Sequence, residues 1–228
     1  AKNEQQATLF HILSHDIQSP IRTVEHLSQW ILEDKGNNLT ATSLENLSML
    51  RVVNKQSYRL TQDLVSLFIN DLREVPSIFN LSRTMETIKR RVFLPDGFKI
   101  TILSSITSFK TFNFLLTEVL YNLISNAVKH HHNFQEGEIK VEVEDQGKQI
   151  LIKIGDNGPG IIENLKKDIF EPLKKFHADN VEGYGMGLAI VKKIIDQVGG
   201  KVDFASMVGK GTTFKLLWPI FEDTQEIK

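Results

Sequence analysis

The stretch ILIKIGDNGPGI occupies Ile150–Ile161. Its first half is nearly all apolar, as expected of a strand at the centre of a sheet rather than one with a wet face. The run then empties into Asp-x-Gly-x-Gly. That places one carboxylate, Asp156, at a sharp turn free of bulky side chains. Gly158 and Gly160 permit φ > 0 there and let a flat ligand approach closely. A carboxylate in such a place can accept a hydrogen bond from an exocyclic amine such as that of adenine. A solvated aspartate in an ordinary β-turn is the competing reading.

Outward from this strand, helical and extended patterns interleave. Short strands are expected at Ile78–Leu81, Phe98–Leu103 and Ile139–Val143, and helices at Arg83–Val92 and Phe112–His130. After the glycine turn, Gly187–Val198 reads as a helix stopped by Gly199-Gly200. Lys201–Ser206 and Thr212–Trp218 read as a closing hairpin across MVGKG. This order predicts an α/β sandwich over residues 76–228, with helices covering one face of a mixed sheet. Trp218 and Phe214 are expected to pack rather than bind a cofactor.

Two further segments carry chemistry. In LLTEVLYNLISNAVKHHH, Leu116, Val119, Leu120, Leu123 and Ala127 share one helix face, and Asn122, Asn126 and Lys129 share another. Asparagine is a poor helix former, so two of them on a solvated face are unexpected. An amide oxygen is a good hard ligand for Mg²⁺, and an ammonium suits phosphate. In EGYGMGLAIVKKII, Gly183, Gly185 and Gly187 run into a helix N-terminus, which suits phosphate. Between the glycine segments lies NLKKDIFEPLKKFHADNVE, whose Phe170 and Phe176 would anchor a mobile lid. His130, His131 and His132 are consecutive, so on a helix they point apart; a helix end is expected rather than a metal tract.

The first third is helical. Leu13, Ile17, Ile21, Val24, Leu27 and Ile31 form one apolar stripe, and Leu44, Leu47, Leu50, Val53, Leu60, Leu64 and Leu67 another. The turn EDKGNN separates them, and Thr42 with Glu45 has capping-box spacing. Pro76 marks the boundary of a helical hairpin over residues 1–75. Such a hairpin cannot cover its own apolar faces, so two copies are expected to form a dimeric four-helix bundle, with packing on the second domain as the alternative. The first helix also contains SHDIQSP. His15 lies 200° from both Leu13 and Ile17, so its imidazole should face outward. Asp16 could hold one ring proton, and Pro20 removes the N–H that would bond to the Asp16 carbonyl.

Composition excludes several classes. The 228 residues contain no cysteine, which removes disulfides and thiolate chemistry. Net charge is −1, so no broad basic surface for nucleic acid is expected. No apolar run approaches the ~18 residues of a membrane span. The polar start AKNEQQ reads as a helix entering from upstream, so the chain is expected to belong to a longer protein, either soluble or membrane-anchored, with this part cytoplasmic.

The ordered set resembles the transmitter region of sensor histidine kinases, within the GHKL-type ATPase superfamily. SHDIQSP resembles the phosphoacceptor box, NLISNAVKH the N-box, DNGPG the first glycine box, IFEPLKKF the F-box and GYGMGL the second glycine box. The resemblance implies a C-terminal α/β sandwich of the GHKL ATPase type and a kinase that phosphorylates itself from ATP and Mg²⁺. His15 would be the phosphoacceptor and Asp16 its general base. Asn126 would hold Mg²⁺, with Asn122 and Lys129 beside the phosphates and His130 near the nucleotide. Asp156 would contact adenine, with Gly158 and Gly160 shaping its pocket. Phe170, Phe176, Gly183, Gly185 and Gly187 would belong to the lid region. The implied partners are a second copy of the chain, an upstream sensor domain and the receiver domain of a response regulator, which would take the phosphoryl group on an aspartate. Gln18 and Ser19 depart from the family pattern; Ser19 stands where members with phosphatase activity carry Thr or Asn. Two other readings stay open: an ATP-binding pseudokinase or scaffold, and an ATPase in which Glu118, one turn before Asn122, activates water.

Overall fold

The computed structural model describes residues 2–33, 38–68, 74–172 and 185–221; side chains are described from residue 18 onward, except at 56, 59–60 and 62–68. The chain divides into two compact units, Ala1–Leu72 and Arg73–Lys228.

The first unit consists of α1 (Lys2–Glu33) and α2 (Ala41–Phe68). Helix α1 continues through Pro20. The two helices run antiparallel: Arg51 pairs with Glu25 at 3.1 Å, and Asn54 Nδ2 donates to the Ile21 carbonyl at 2.7 Å. The sequence placed the start of α2 at a Thr42–Glu45 capping box, and the structure corrects this. Thr40 is the cap: its Oγ1 accepts from Ser43 N–H at 3.1 Å, and its carbonyl accepts the first helical bond from Leu44 N–H. Thr40 therefore satisfies an orphan donor of the first turn two residues earlier than expected.

Among the described side chains of this hairpin the buried ones are polar. Ser28, Asn54 and Thr61 are buried, whereas Val24, Leu27, Ile31, Leu44, Leu50 and Val53 of the two stripes remain exposed. Trp30 and Met49 are 64% and 70% exposed. These six stripe residues therefore leave apolar surface uncovered within the hairpin.

The second unit is built on a five-stranded sheet ordered β2-β4-β5-β7-β6, comprising β2 (Lys99–Ser104), β4 (Glu138–Asp145), β5 (Gln149–Asp156), β6 (Lys201–Met207) and β7 (Gly211–Pro219). Only the β2–β4 pair is parallel, so the sheet is mixed. The apolar strand that opened the sequence analysis is β5, and it lies in the middle. Register explains why one face is dry. Val141 opposes Ile154, Ile152 opposes Leu216 and Ile150 opposes Trp218. All six are buried. The alternate positions carry charge: Lys153 pairs with Glu144 at 2.7 Å, and Lys140 pairs with Glu142. A one-residue slip would exchange these faces, so the pattern fixes the pairing.

Helices α3 (Leu81–Val92), α4 (Asn113–Lys129) and α5 (Gly187–Gln197) supply the apolar cover. Leu116, Leu120, Leu123 and Ile124 of α4, Met85 and Ile88 of α3 and Val191 and Ile195 of α5 are buried. Helix α3 starts cleanly because Asn80 Oδ1 accepts from Arg83 N–H at 2.9 Å. A second, two-stranded sheet pairs β1 (Ser77–Asn80) with β3 (Ser108–Thr111), a strand the sequence reading missed. Its Thr111 is fully buried; Thr111 Oγ1 donates to the Pro219 carbonyl at 2.9 Å and accepts from Trp218 Nε1 at 2.6 Å. Trp218 and Phe214 are core residues, as expected. Among the described residues no helix is long and apolar enough to cross a membrane.

Candidate functional site

Helix α4 carries the two asparagines. Its N-cap residue, Phe112, offers no side-chain cap. Glu74 supplies one from a distant part of the chain, accepting from Phe114 N–H at 2.6 Å and Leu115 N–H at 3.1 Å. A carboxylate there also suits the positive end of the helix dipole. The helix buries Leu116, Val119, Leu120 and Leu123, which turns Asn122 and Asn126 toward the start of α5. A Cβ built on Gly187 would lie 3.1 Å from Asn122 Oδ1 and 3.2 Å from Asn126 Nδ2. A side chain there would press both amides aside by a few tenths of an ångström, so glycine lets the backbone of α5 come this close to them without strain. Asn122 Nδ2 donates to the Glu118 carbonyl at 2.9 Å, which leaves Oδ1 turned to α5. The N-cap of α5, Met186, offers no side-chain cap, so its first-turn N–H groups are not covered by that residue.

The second part of the site is the turn after β5. Asp156 Oδ1 accepts from Gly158 N–H at 2.9 Å and Thr212 N–H at 3.3 Å. Among the described residues no donor addresses Oδ2. Burial raises the Asp156 pKa above the usual aspartate value, partly offset by these two backbone donors. The close approach of backbone to backbone makes two glycines obligatory. Gly211 (φ +103°) would put a Cβ 1.9 Å from the Asp156 carbonyl oxygen, and Gly160 (φ +71°) would put one 2.2 Å from that of Met207. The turn is thereby sealed against the β6–β7 hairpin, with Gly209 N–H bonded to the Pro159 carbonyl and Ile161 N–H to Ser206 Oγ, each at 2.8 Å.

The residues named from sequence are distributed as follows. Asn122, Asn126 and Gly187 come together, and Asp156, Gly158 and Gly160 form one turn. Lys129 is exposed at the end of α4, and His130 is its C-cap residue. Gly185 has φ +70° just before α5. Phe170 packs edge-on against Phe204 of β6, ring centroids 6.1 Å apart. Ser19 is exposed on α1, and its carbonyl accepts from Thr23 Oγ1. His15 and Asp16 lie within α1, but their side chains are outside the described residues, as are Phe176 and Gly183 altogether. Glu118, the carboxylate considered for activating water, has both oxygens engaged by Arg91, at 2.5 and 3.4 Å. Arg91 in turn lies over the Tyr121 ring, 3.7 Å from its centroid. Burial lowers the Arg91 pKa, but its bonds to Glu118 and Tyr121 outweigh this and leave it raised.

Sequence reasoning missed Thr212 and Asn157, and it placed the histidine run at a helix end without foreseeing the burial of His131. The helix does end at this run, with His130 as its C-cap, but His131 lies past it. It is buried beyond the C-cap, and its ring stacks on His132 with centroids 5.1 Å apart. The expectation that neighbouring histidines point apart holds for helical backbone, and here the helix has already ended. A signal was available: an apolar helix followed by a turn residue, Asn133, gives the intervening residues a polar partner to bury against.

For a divalent cation, the donor set is sparse. Among the described residues no three His, Asp or Glu side chains come together as a cage. Asn126 offers one amide oxygen. That suits Mg²⁺, which keeps waters and takes phosphate oxygens rather than an all-protein shell.

Residues 113–222 match the family model described as histidine kinase-, DNA gyrase B-, and HSP90-like ATPase. Over these residues the chain is similar to that ATPase family. More particularly, it is a homologue of the sensor histidine kinases. ZraS of Salmonella typhimurium is 25% identical over 243 residues, covering 99% of this chain and 49% of that protein. ArlS of Staphylococcus aureus is 26% identical over 224 residues, covering 94% and 49%. Cyanobacterial phytochrome B of Nostoc sp. is 27% identical over 224 residues, covering 93% and 29%. The chain thus spans about half or less of the length of these curated relatives. The fold is similar to that of full-length ShkA, solved in complex with AMPPNP, at a TM-score of 0.73 and 22% identity, covering 94% of this chain and 46% of that one. It is also similar to that of the Acinetobacter baumannii histidine kinase AdeS, at a TM-score of 0.62 and 22% identity, covering 91% and 98%.

Proposed function

We propose that this chain is the transmitter part of a two-component sensor kinase, which phosphorylates its own His15 from ATP and passes the phosphoryl group to an aspartate on a response-regulator receiver domain. The observation that carries the nucleotide half of this reading is the approach of Gly187 to the amides of Asn122 and Asn126. It sets the N-terminus of a helix, a ready anion site, beside hard oxygen ligands. The turn of Asp156 supplies the other end. Its Oδ1 is held by two backbone donors and Oδ2 is left to accept from the amine of adenine.

In the transfer, an unprotonated ring nitrogen of His15 attacks the γ-phosphorus in line. The bond from that phosphorus to the β–γ bridging oxygen breaks, and ADP leaves. Asp16 holds the proton on the other ring nitrogen and stabilises the imidazolium that develops. Mg²⁺, held by Asn126, would neutralise charge on the phosphates. Asn122, Lys129 and the first-turn N–H groups of α5 would orient those phosphates, with Gly183, Gly185 and Gly187 forming the phosphate-binding end of the lid and Phe170 and Phe176 anchoring it.

The engagement of both Glu118 oxygens by Arg91 favours transfer over hydrolysis, because a carboxylate held in an ion pair is a weaker base for activating water. Homodimerisation through the first unit is supported by the apolar surface it leaves uncovered at Val24, Leu27, Ile31, Leu44, Leu50 and Val53. The transmitter would then work in the cytoplasm, downstream of a sensor domain in the parent protein.

The test is incubation with γ-labelled ATP and Mg²⁺. Acid-labile, base-stable label on the wild type, absent from His15→Gln and Asn126→Ala, is the expected result. Bound ATP without label would instead mean a scaffold. Phosphate release that survives His15→Gln would mean an ATPase.

A further inference from the structure

We propose that His131 is a positioning residue of the nucleotide site: a neutral imidazole that ties the end of α4 to the turn carrying Asp156, fixing that carboxylate relative to the amides of Asn122 and Asn126. The inference rests on the reading of Asp156 as the adenine acceptor.

The tautomer follows from the bonds around the ring. His131 Nδ1 accepts from Asn133 N–H at 3.1 Å, so this nitrogen carries no proton. His131 Nε2 lies 2.9 Å from Asn157 Oδ1. The orientation of the Asn157 amide is set independently by backbone. Its Nδ2 donates to the Glu136 carbonyl at 2.7 Å, and its Oδ1 accepts from Glu138 N–H at 2.7 Å. The atom facing His131 is therefore an acceptor, and Nε2 must donate to it. Both ring nitrogens are used, in opposite senses, by partners that could not exchange roles.

The position of the ring gives this bond its consequence. His131 follows directly on the C-cap of α4, whose last turns carry Asn126 and Lys129. Asn157 is adjacent to Asp156, and its N–H bonds the Glu138 carbonyl at 3.3 Å. One imidazole thus joins the helix assigned to phosphate and metal with the turn assigned to the base. The ring also flanks that turn: a Cβ on Gly158 would lie 3.4 Å from His131 Cδ2. Phe98 meets it edge-on at 5.2 Å, and His132 stacks on it, so its orientation is confined. An apolar side chain of similar size would fill this space but remove the donor to Asn157 and leave Asn133 N–H without its acceptor.

The experiment compares the full chain with His131→Gln, which keeps an N–H donor at the ε position, and His131→Leu, which keeps only bulk. ADP affinity is measured by calorimetry, and the imidazole tautomer by ¹⁵N NMR of the wild type without nucleotide. His131→Leu is expected to weaken ADP binding about tenfold, as loss of one buried hydrogen bond would. His131→Gln should recover most of it, and the spectrum should show a protonated Nε2 and an unprotonated Nδ1. Equal affinity in wild type and His131→Leu would overturn the inference. So would an equal loss in the glutamine and leucine variants, or a protonated Nδ1, which stands as a test even if the leucine variant fails to fold. A wild-type chain that binds no ADP would instead overturn the nucleotide reading itself, and the tautomer result would still report on the tie.

Discussion

Gly160→Ala tests whether the Asp156 turn is held by contact with the β6–β7 hairpin. Two contributions add. At φ +71° an L-residue loses about 1 kcal/mol relative to glycine. The new Cβ would also lie 2.2 Å from the Met207 carbonyl oxygen, roughly 1 Å inside ordinary contact. The turn must then part from the hairpin and lose the Gly209–Pro159 and Ile161–Ser206 bonds, each worth about 0.5–1.5 kcal/mol. The total is about 3 kcal/mol. Gly147→Ala is the control. It has φ +84° and nothing within 4 Å of its Cβ, so it should cost about 1 kcal/mol. The chain has two tryptophans, Trp30 and the fully buried Trp218. In a Trp30→Phe background, the fluorescence of Trp218 follows unfolding of the second unit alone. For a unit of this size urea slopes are about 2 kcal/mol per M, so the midpoints should fall by about 1.5 M and 0.5 M. Equal shifts for the two variants would refute the argument that backbone contact, rather than the dihedral angle, fixes the turn.

Asp156→Asn keeps the Oδ1 acceptor but replaces Oδ2 by a donor, so nucleotide affinity should fall by about 100-fold by calorimetry. The same variant reports on pH. Because burial raises the folded-state pKa, the folded chain holds this proton more tightly than the unfolded one. Stability should therefore decline as pH rises from the usual aspartate value through the raised one, and Asp156→Asn should flatten that part of the profile in urea titrations. Removing divalent cations with EDTA should abolish phospho-histidine formation while ADP binding persists, weakened. Trp218→Phe removes the bond to Thr111 and part of a fully buried ring, and should cost about 2–4 kcal/mol in the same unfolding assay. Leu27→Asp with Val53→Asp should turn a dimer into a monomer in sedimentation, with the helical content of the second unit retained.

The parts of the fold legible in the sequence were those with a strong period. Strand β5 and helix α4 each carry enough apolar residues on one side to fix their class, and both ends of the proposed nucleotide site lie on them. What escaped was short or set by tertiary contact. Strand β3 has four residues, and its one decisive side chain, Thr111, reads as polar until its partners Trp218 and Pro219 are seen. The cap of α2 moved to Thr40 because Ser43, rather than a glutamate, completes it. His131 was hidden by its neighbours: three histidines in a row look like one feature, yet the helix stops at the first of them. The role of Asn157 depends on backbone groups of Glu136 and Glu138, some twenty residues earlier, which no spacing rule relates to it.

The family match begins at residue 113, but the carboxylate that caps α4 belongs to Glu74. A fragment trimmed to the matched segment would start its asparagine helix with bare amides, and it would lack β1, α3, β2 and β3 as well. The autonomous folding piece is therefore longer by some forty residues than the recognisable one, and anyone cutting this gene for expression should begin upstream of that glutamate.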